Sequence, residues 1–242
     1  MKMIRLFFSG LIVLASQLAY TQTPAKYQPK VAGFEYLEII KGTDAGKLPL
    51  VIAFHYSGGT PLETVVDFDS LKESVRIIIP KGNYRKKNGA SYFPVDYYEK
   101  DTVAQSLAAR VAVDSLSQFV KEMHQKFISK PIVIGVSQGG DIAFLLAKHY
   151  PILCWVAISI APVIPHNIIE LGGIRAPVYL LQGENDPIVP VQITRRKVTA
   201  IGRRMDIRFQ TYPGVGHEIS PKMKADYSAI IDRQSRIALG KK

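Results

Sequence analysis

The chain has 242 residues, of which 47% are hydrophobic and 21% charged, and this composition is that of a folded globular domain. Its 15 prolines and 18 glycines are near average usage, which excludes a disordered or collagen-like chain, and a single cysteine excludes an internal disulfide framework. The formal net charge is +11, but the basic residues are scattered in pairs and triples without a nucleic-acid-binding motif, so no nucleic-acid partner is expected.

The first 21 residues have a pattern of their own. Two basic residues precede an apolar run at 6–15, and small residues follow before position 22. This order is typical of a secretory signal peptide, whereas a membrane anchor would need about 20 apolar residues. We therefore expect a signal peptide over 1–21, a flexible lead-in over 22–30 and a single domain over 31–242. The mature protein is then secreted or periplasmic, without a stable membrane anchor.

Short β-branched runs and amphipathic helical patterns alternate along the rest of the chain. The predicted strands lie at 34–40, 49–55, 75–80, 131–134, 154–160, 177–182 and 207–212, and the predicted helices lie at 103–127, 141–147, 191–201 and 221–239. This alternation predicts an α/β fold with a doubly wound, mostly parallel sheet flanked by helices. Its functional site is expected beyond the carboxyl ends of the strands, and no insertion is long enough for a large cap domain.

The clearest motif is Gly-Val-Ser-Gln-Gly at 135–139, between the strand predicted at 131–134 and the helix predicted at 141–147. In this context a sharp turn exposes the serine hydroxyl at the edge of a sheet, and glycines flank it because the turn is tight. The motif predicts Ser137 as a nucleophile.

A nucleophilic serine needs a base to take its proton and an acid to orient that base. His217 follows the last predicted strand in Gly-Val-Gly-His and is the predicted base. Asp186 follows the preceding strand in Gly-x-x-Asp-x-x-Val-Pro and is the predicted acid, with Glu184 and Asp206 as competitors.

Together these motifs resemble those of the α/β-hydrolase superfamily, and most closely its small carboxylesterase, phospholipase and acyl-thioesterase group. The matching segments are Gly-Val-Ser-Gln-Gly-Gly at 135–140, Gly-Glu-Asn-Asp-Pro-Ile-Val-Pro at 183–190 and Gly-Val-Gly-His at 214–217. The resemblance extends over roughly 34–238. It implies the α/β-hydrolase fold and a Ser-His-Asp catalytic triad that needs no cofactor and no metal.

The resemblance also implies an oxyanion hole made of two backbone N–H groups. One is expected from Gln138, the residue after the nucleophile. The family usually has His-Gly-x-Gly after the second strand, and this chain has His55-Tyr56-Ser57-Gly58. By position Ser57 supplies the second N–H, and Tyr56 remains open because it replaces a glycine. His55 is expected to pack or hydrogen-bond beneath this loop.

The segment 81–98 is polar, basic and aromatic, and it follows the carboxyl end of a predicted strand. We expect it to form one wall of the substrate pocket, with Tyr56, Tyr92 and Phe93 as candidate lining residues. The alternative is a surface loop whose aromatic side chains pack onto the domain. His166 lies in another loop that is expected to border the pocket.

These observations predict a serine hydrolase that cleaves small carboxylic esters through an acyl-enzyme. Short acyl chains are favoured because no insertion is long enough to build an apolar lid. The alternatives are a thioesterase, lysophospholipase, polyester depolymerase or peptidase with the same triad, and an inactive binding protein on a hydrolase scaffold.

Overall fold

The structure is a computed structural model that describes residues 26–43, 46–165 and 176–240. The predicted signal peptide, the first residues of the predicted lead-in and His166 lie outside these ranges. No helix in the described part of the chain is both long and apolar enough to span a bilayer.

The described residues form ten strands, eight of which make a central sheet. In chain order the strands are β1 (Lys26–Val31), β2 (Phe34–Lys41), β3 (Leu50–Phe54), β4 (Val75–Pro80), β5 (Tyr84–Lys86), β6 (Gly89–Ser91), β7 (Ile132–Val136), β8 (Val156–Ile160), β9 (Val178–Gly183) and β10 (Ile207–Tyr212). The sheet order is β1-β2-β4-β3-β7-β8-β9-β10, and β5 pairs with β6 in a separate hairpin. Strand β2 is antiparallel to both of its neighbours, and the other pairs in the sheet are parallel.

Helices cover both faces of this sheet. They are α1 (Pro61–Thr64), α2 (Thr102–Phe127), α3 (Gln138–His149), α4 (Val191–Ile201) and α5 (Pro221–Ala238). One core cluster joins α2, α3 and α4 to one face, and a second joins α5 to the other. Because β3 and β8 are buried along their whole length, their nearly continuous apolar sequences suit central parallel strands. The predicted α/β fold is confirmed.

The second half of the predicted flexible lead-in is instead the edge strand β1. Its backbone pairs antiparallel with β2, from Lys26 opposite Glu38 to Val31 opposite Phe34. Most of its side chains are exposed, and Pro29 is tolerated because an edge strand does not need every N–H. This segment is ordered by backbone hydrogen bonds to β2. Its polar side chains give no sign of that pairing in the sequence.

Candidate active site

Ser137 is the single residue between β7 and α3. Its φ is 54° and its ψ is −117°, a conformation that is strained for a residue with a side chain. The turn depends on glycines at positions 135 and 139. A Cβ at Gly135 would lie 2.2 Å from the Gly139 carbonyl oxygen, and a Cβ at Gly139 would lie 2.1 Å from the Phe54 carbonyl oxygen. The tight turn therefore presents Ser137 at the carboxyl edge of the sheet.

The three predicted triad residues meet at this edge. His217 Nε2 lies 3.0 Å from Ser137 Oγ, and His217 Nδ1 lies 2.7 Å from Asp186 Oδ2. The Asp186 side chain is completely buried, and its Oδ1 accepts the N–H groups of Ile188 and Val189 at 2.9 and 2.8 Å. A carboxylate with these donors accepts the Nδ1–H of the imidazole, which leaves Nε2 free to accept the serine proton.

The two competing acids lie elsewhere. Glu184 is exposed and accepts the hydroxyl of Thr211 at 2.7 Å. Asp206 precedes β10, and its carbonyl oxygen accepts the N–H of Val178 at the amino end of β9. Asp206 is therefore at the amino ends of the strands, whereas Ser137 is at their carboxyl ends.

The loop after β3 is fixed by the buried side chain of His55. Gly82 donates its N–H to His55 Nε2 at 3.1 Å, so the ring proton is on Nδ1, which donates to the Tyr56 carbonyl oxygen at 2.8 Å. Burial lowers the pKa of His55 to about 4, which keeps the ring neutral near pH 7. The Tyr56 carbonyl and the Ser57 N–H belong to one planar peptide, so this bond also fixes the direction of the Ser57 N–H. The expectation that His55 hydrogen-bonds beneath the loop is confirmed.

Gln138 has a side-chain role that the sequence did not reveal. Its backbone N–H is in the first turn of α3, where helix N–H groups lack an intrahelical acceptor. Its side chain is fully buried, with Oε1 accepting the Tyr92 N–H at 2.7 Å and Nε2 donating to Ser91 Oγ at 3.0 Å. The residue after Ser137 is therefore tied to the segment that contains the β5–β6 hairpin.

A cleft of about 760 Å³ opens beside Ser137 and His217. Beyond Ser137 and His217, it is lined by apolar, aromatic and charged side chains from five parts of the chain: Tyr56, Ser57, Glu63, Thr64, Asp67, Lys86, Lys87, Tyr98, Val136, Ile188, Glu218 and Ile219. Tyr56 thus lines the cleft as predicted. The charges are of both signs, and burial raises the pKa of Asp67 to about 6.

The prediction that Tyr92 and Phe93 line this cleft is wrong. Tyr92 is buried, stacks on the ring of His55 at 4.5 Å between centroids and donates its hydroxyl to the Pro80 carbonyl oxygen at 2.6 Å. Phe93 is fully buried and packs against Tyr97. Tyr92 and Phe93 turn inward because they fill the core. Its hairpin tip and Tyr98 form the wall of the cleft instead.

Cys154 is buried, and burial raises the pKa of its thiol to about 12, as expected for an inert cysteine. Within the described ranges, no group of three or more His, Cys, Asp or Glu side chains is arranged to hold a metal ion.

The buried carboxylate of Asp141 lies in the first turn of α3, the helix that follows Ser137. Its Oδ1 accepts the N–H of Ile164 at 2.8 Å, and Lys197 Nζ donates to the carbonyl oxygens of Val163 and Ile164 at 2.7 and 2.6 Å. Ile164 has a φ of 53°, which is strained for a β-branched residue. Asp141 and Lys197 therefore fix the chain that leaves β8. Burial raises the pKa of Asp141 to about 7.

Asp141→Asn is expected to make thermal stability less dependent on pH. The carboxyl has a pKa of 3.8 when unperturbed and about 7 in the fold. Its favourable contribution is therefore complete below the lower value and is lost as the pH rises through the higher one. Asparagine keeps an acceptor for the Ile164 N–H but does not ionise. The melting temperature of the variant should rise relative to wild type by several degrees between about pH 5 and about pH 8. A difference that is constant with pH would contradict this assignment.

Comparison with known proteins agrees with this geometry. The dienelactone hydrolase family model matches residues 44–235, which is more than half of the chain. The chain belongs to the dienelactone hydrolase family. Membership of the dienelactone hydrolase family makes the protein an esterase-type serine hydrolase. It also favours an enzyme over an inactive binding protein on the same scaffold.

Two curated relatives of this dienelactone hydrolase family member match only part of its chain. An acyl-protein thioesterase 1 from Cryptococcus neoformans is 29% identical over 148 residues, which are 53% of this chain and 61% of the relative. An acyl-protein thioesterase 1 from Gibberella zeae is 36% identical over 63 residues, which are 25% of this chain and 26% of the relative. The chain thus matches less than two thirds of the length of each.

Solved structures share the fold of this dienelactone hydrolase family member. Esterase PE8 has a TM-score of 0.68 at 21% identity, with 86% of this chain and 97% of that chain covered. A carboxylesterase from Mesorhizobium loti has a TM-score of 0.71 at 15% identity, with 86% and 98% covered. At these identities the likeness shows the α/β-hydrolase fold.

Proposed function

We propose that the protein hydrolyses small carboxylic esters through an acyl-enzyme on Ser137. The observation that carries this proposal is the unbroken chain of contacts from Ser137 Oγ through His217 to Asp186 at 3.0 and 2.7 Å. Ser137 attacks the ester carbonyl while His217 Nε2 takes its proton. His217 then returns the proton to the leaving alcohol, and the Asp186 carboxylate stabilises the imidazolium between these steps. Water attacks the acyl-enzyme by the same route and restores the serine.

The negative charge on the former carbonyl oxygen needs donors that are already in place. We assign this role to the backbone N–H groups of Gln138 and Ser57. Gln138 stands at a helix N-terminus, where the helix dipole favours an anion. The bond from His55 to the Tyr56 carbonyl supports Ser57 over Tyr56, because it fixes the peptide that carries the Ser57 N–H. Each such donor commonly lowers the barrier by about 3 kcal/mol.

The lining of the cleft supports a preference for short acyl groups. The lining combines the apolar side chains of Val136, Ile188 and Ile219 with charged side chains, among them Lys87 and Asp67. A buried methylene contributes about 0.8 kcal/mol only where it meets apolar surface. A long acyl chain in this cleft would lie partly against charged side chains, where its methylenes contribute less.

Nitrophenyl esters of graded acyl length test this preference. We expect kcat/KM to be highest for acyl groups of roughly two to six carbons and to fall for longer chains, with no jump in rate when the substrate forms an emulsion. Ser137→Ala, assayed in parallel, gives the background rate. A preference for long chains, or a sharp rise at the lipid–water interface, would overturn the short-ester proposal.

Thioester hydrolysis is a second candidate, because the curated relatives that the chain matches are named acyl-protein thioesterases. The same triad can attack either bond. Comparing kcat/KM for one butyryl group presented as an oxygen ester and as a thioester separates the two. We expect the oxygen ester to be the better substrate, and a large excess for the thioester would favour the second candidate.

We further propose that the enzyme is exported after removal of residues 1–21, on the basis of the basic and apolar pattern of that segment. N-terminal sequencing of protein recovered from outside the cytoplasm should give a start after cleavage at about residues 19–22. Recovery only from the cytoplasm, with Met1 intact, would contradict export.

A further inference from the structure

A second cavity, of about 560 Å³, lies at the other end of the sheet. Tyr179 is the second residue of β9, and it pairs in register with Arg208 on β10. Helix α5 crosses the same face and brings Arg233 and Arg236 to the cavity. Asp186 follows the opposite, carboxyl end of β9, and this cavity shares no lining residue with the catalytic cleft. The second cavity is therefore separate from the proposed ester site.

Two arginines converge there on one phenol oxygen. Arg208 Nη1 and Arg233 Nη2 each donate to Tyr179 Oη at 2.5 Å. Their guanidinium carbons lie 5.0 and 5.9 Å from the centroid of the Tyr179 ring. Only 8% of Tyr179 is exposed. Because the phenol oxygen accepts from both arginines, its own hydroxyl hydrogen is left to be donated, and among the described residues no acceptor takes it.

The nearby carboxylates do not neutralise this pair. Glu73 pairs with Arg236 at 3.1 Å. Asp226 pairs with Lys222 at 2.5 Å and also accepts the side-chain donors of Gln210 and Tyr212. Within the described part of the chain, neither Arg208 nor Arg233 lies within salt-bridge distance of a carboxylate. The cavity thus holds two arginines side by side, and the one carboxylate in its lining, Asp226, is paired with Lys222.

We propose that Tyr179, Arg208 and Arg233 form a binding site for a tetrahedral oxyanion of the phosphate class. Such an anion has several oxygens, so it can accept the Tyr179 hydroxyl hydrogen and one guanidinium N–H from each arginine at once. It also neutralises the repulsion between the two arginines. Charge-assisted bonds of this kind are the strongest that arginine makes, and phosphate geometry suits its planar fork of donors. Arg236 and Gln210 complete the rim.

The anion has two sources with the same chemistry, free inorganic phosphate and the phosphomonoester headgroup of a lipid. In either case the ligand sits away from Ser137, so the catalytic cleft stays open while the anion is bound. The site does not depend on the proposed ester hydrolysis.

Binding is measured by calorimetric titration of the enzyme with inorganic phosphate at low ionic strength, with chloride at matched ionic strength as the salt control. We expect saturable binding of phosphate and a rise in melting temperature with phosphate concentration. The double variant Arg208→Gln with Arg233→Gln should lose at least about tenfold in affinity, because it removes both charge-assisted partners. Tyr179→Phe keeps the ring and loses only the hydroxyl, so it should bind phosphate several-fold more weakly.

The matched control is Arg196→Gln with Lys121→Gln, which removes the same charge from two exposed positions and should bind like wild type. Hydrolysis of nitrophenyl butyrate, unchanged in every variant, verifies that each is folded.

Vesicles of phosphatidylcholine with and without phosphatidic acid distinguish the sources of the anion. Vesicle binding that free phosphate competes away assigns the lipid headgroup, and phosphate binding without vesicle binding assigns the free ion. The proposal is overturned if wild type binds neither, or if all variants bind phosphate equally.

Discussion

Ser137→Ala is expected to lower kcat for a soluble nitrophenyl ester by about a millionfold, since the members of a triad act as a unit. In the proposed mechanism the Ser137 hydroxyl forms the acyl-enzyme, and His217 Nε2, which lies 3.0 Å from it, takes its proton. The fold should survive, because alanine keeps the same backbone constraint at the turn and removes one partly exposed oxygen. Steady-state kinetics and thermal unfolding measure the two effects.

Ser115→Ala is the matched control for this experiment. It removes a hydroxyl that donates to the Val111 carbonyl oxygen within α2, away from the cleft. Its activity should equal that of wild type. Ser137→Ala with more than a few per cent of wild-type activity would show that another group is the nucleophile.

Asp186→Asn is expected to lower kcat by roughly 10³–10⁴-fold. The asparagine amide presents an N–H to His217 Nδ1, which stabilises the tautomer with its proton on Nε2. That tautomer cannot accept the serine proton. The asparagine oxygen still accepts the N–H groups of Ile188 and Val189, so the turn itself should be retained.

Glu184→Gln provides the comparison, since Glu184 is the competing acid from the same turn. Its carboxylate is exposed and accepts only the Thr211 hydroxyl among the hydrogen bonds of the described residues, so the variant should keep nearly full activity. If Glu184→Gln proved the more damaging of the two, the acid would have to be reassigned.

Local motifs predicted that Ser137, Asp186 and His217 lie together, because each residue stands in a short turn at the end of a strand. Parallel strands bring such turns to one edge of a sheet, so the order serine, acid, histidine was enough to place the three together. The spacing of Asp186 before Val189-Pro190 favoured Asp186 over Glu184 as the partner of His217, and Asp186 is the residue that contacts His217. Asp186 is buried beside His217, and Glu184 faces solvent.

Contacts that depend on pairing partners were not visible in the sequence. Strand β1 is mostly exposed and polar, and its order comes from backbone bonds to β2. Tyr92 and Phe93 are aromatic and lie in the segment predicted to line the pocket, but both side chains pack in the core. The convergence of Arg208 and Arg233 on Tyr179 requires the register of β9 and β10 together with the position of α5.

The sequence also did not show which polar side chains are buried. Gln138 and Asp141 follow Ser137 in a helix whose polar residues could have faced solvent. Both are buried, because α3 packs between the sheet and neighbouring segments. The amide of Gln138 then finds partners at Ser91 and Tyr92, which lie in a segment more than forty positions earlier.

The central claim is that Ser137 is an activated nucleophile, and covalent labelling tests it most directly. The folded enzyme is treated with a fluorophosphonate probe, digested and analysed by peptide mass spectrometry, with Ser137→Ala and heat-denatured enzyme alongside. We predict one phosphonyl group per chain, on Ser137, in the folded wild-type protein and none in either control. A folded wild-type protein that stays unlabelled, or that carries the label on another residue, would contradict the claim.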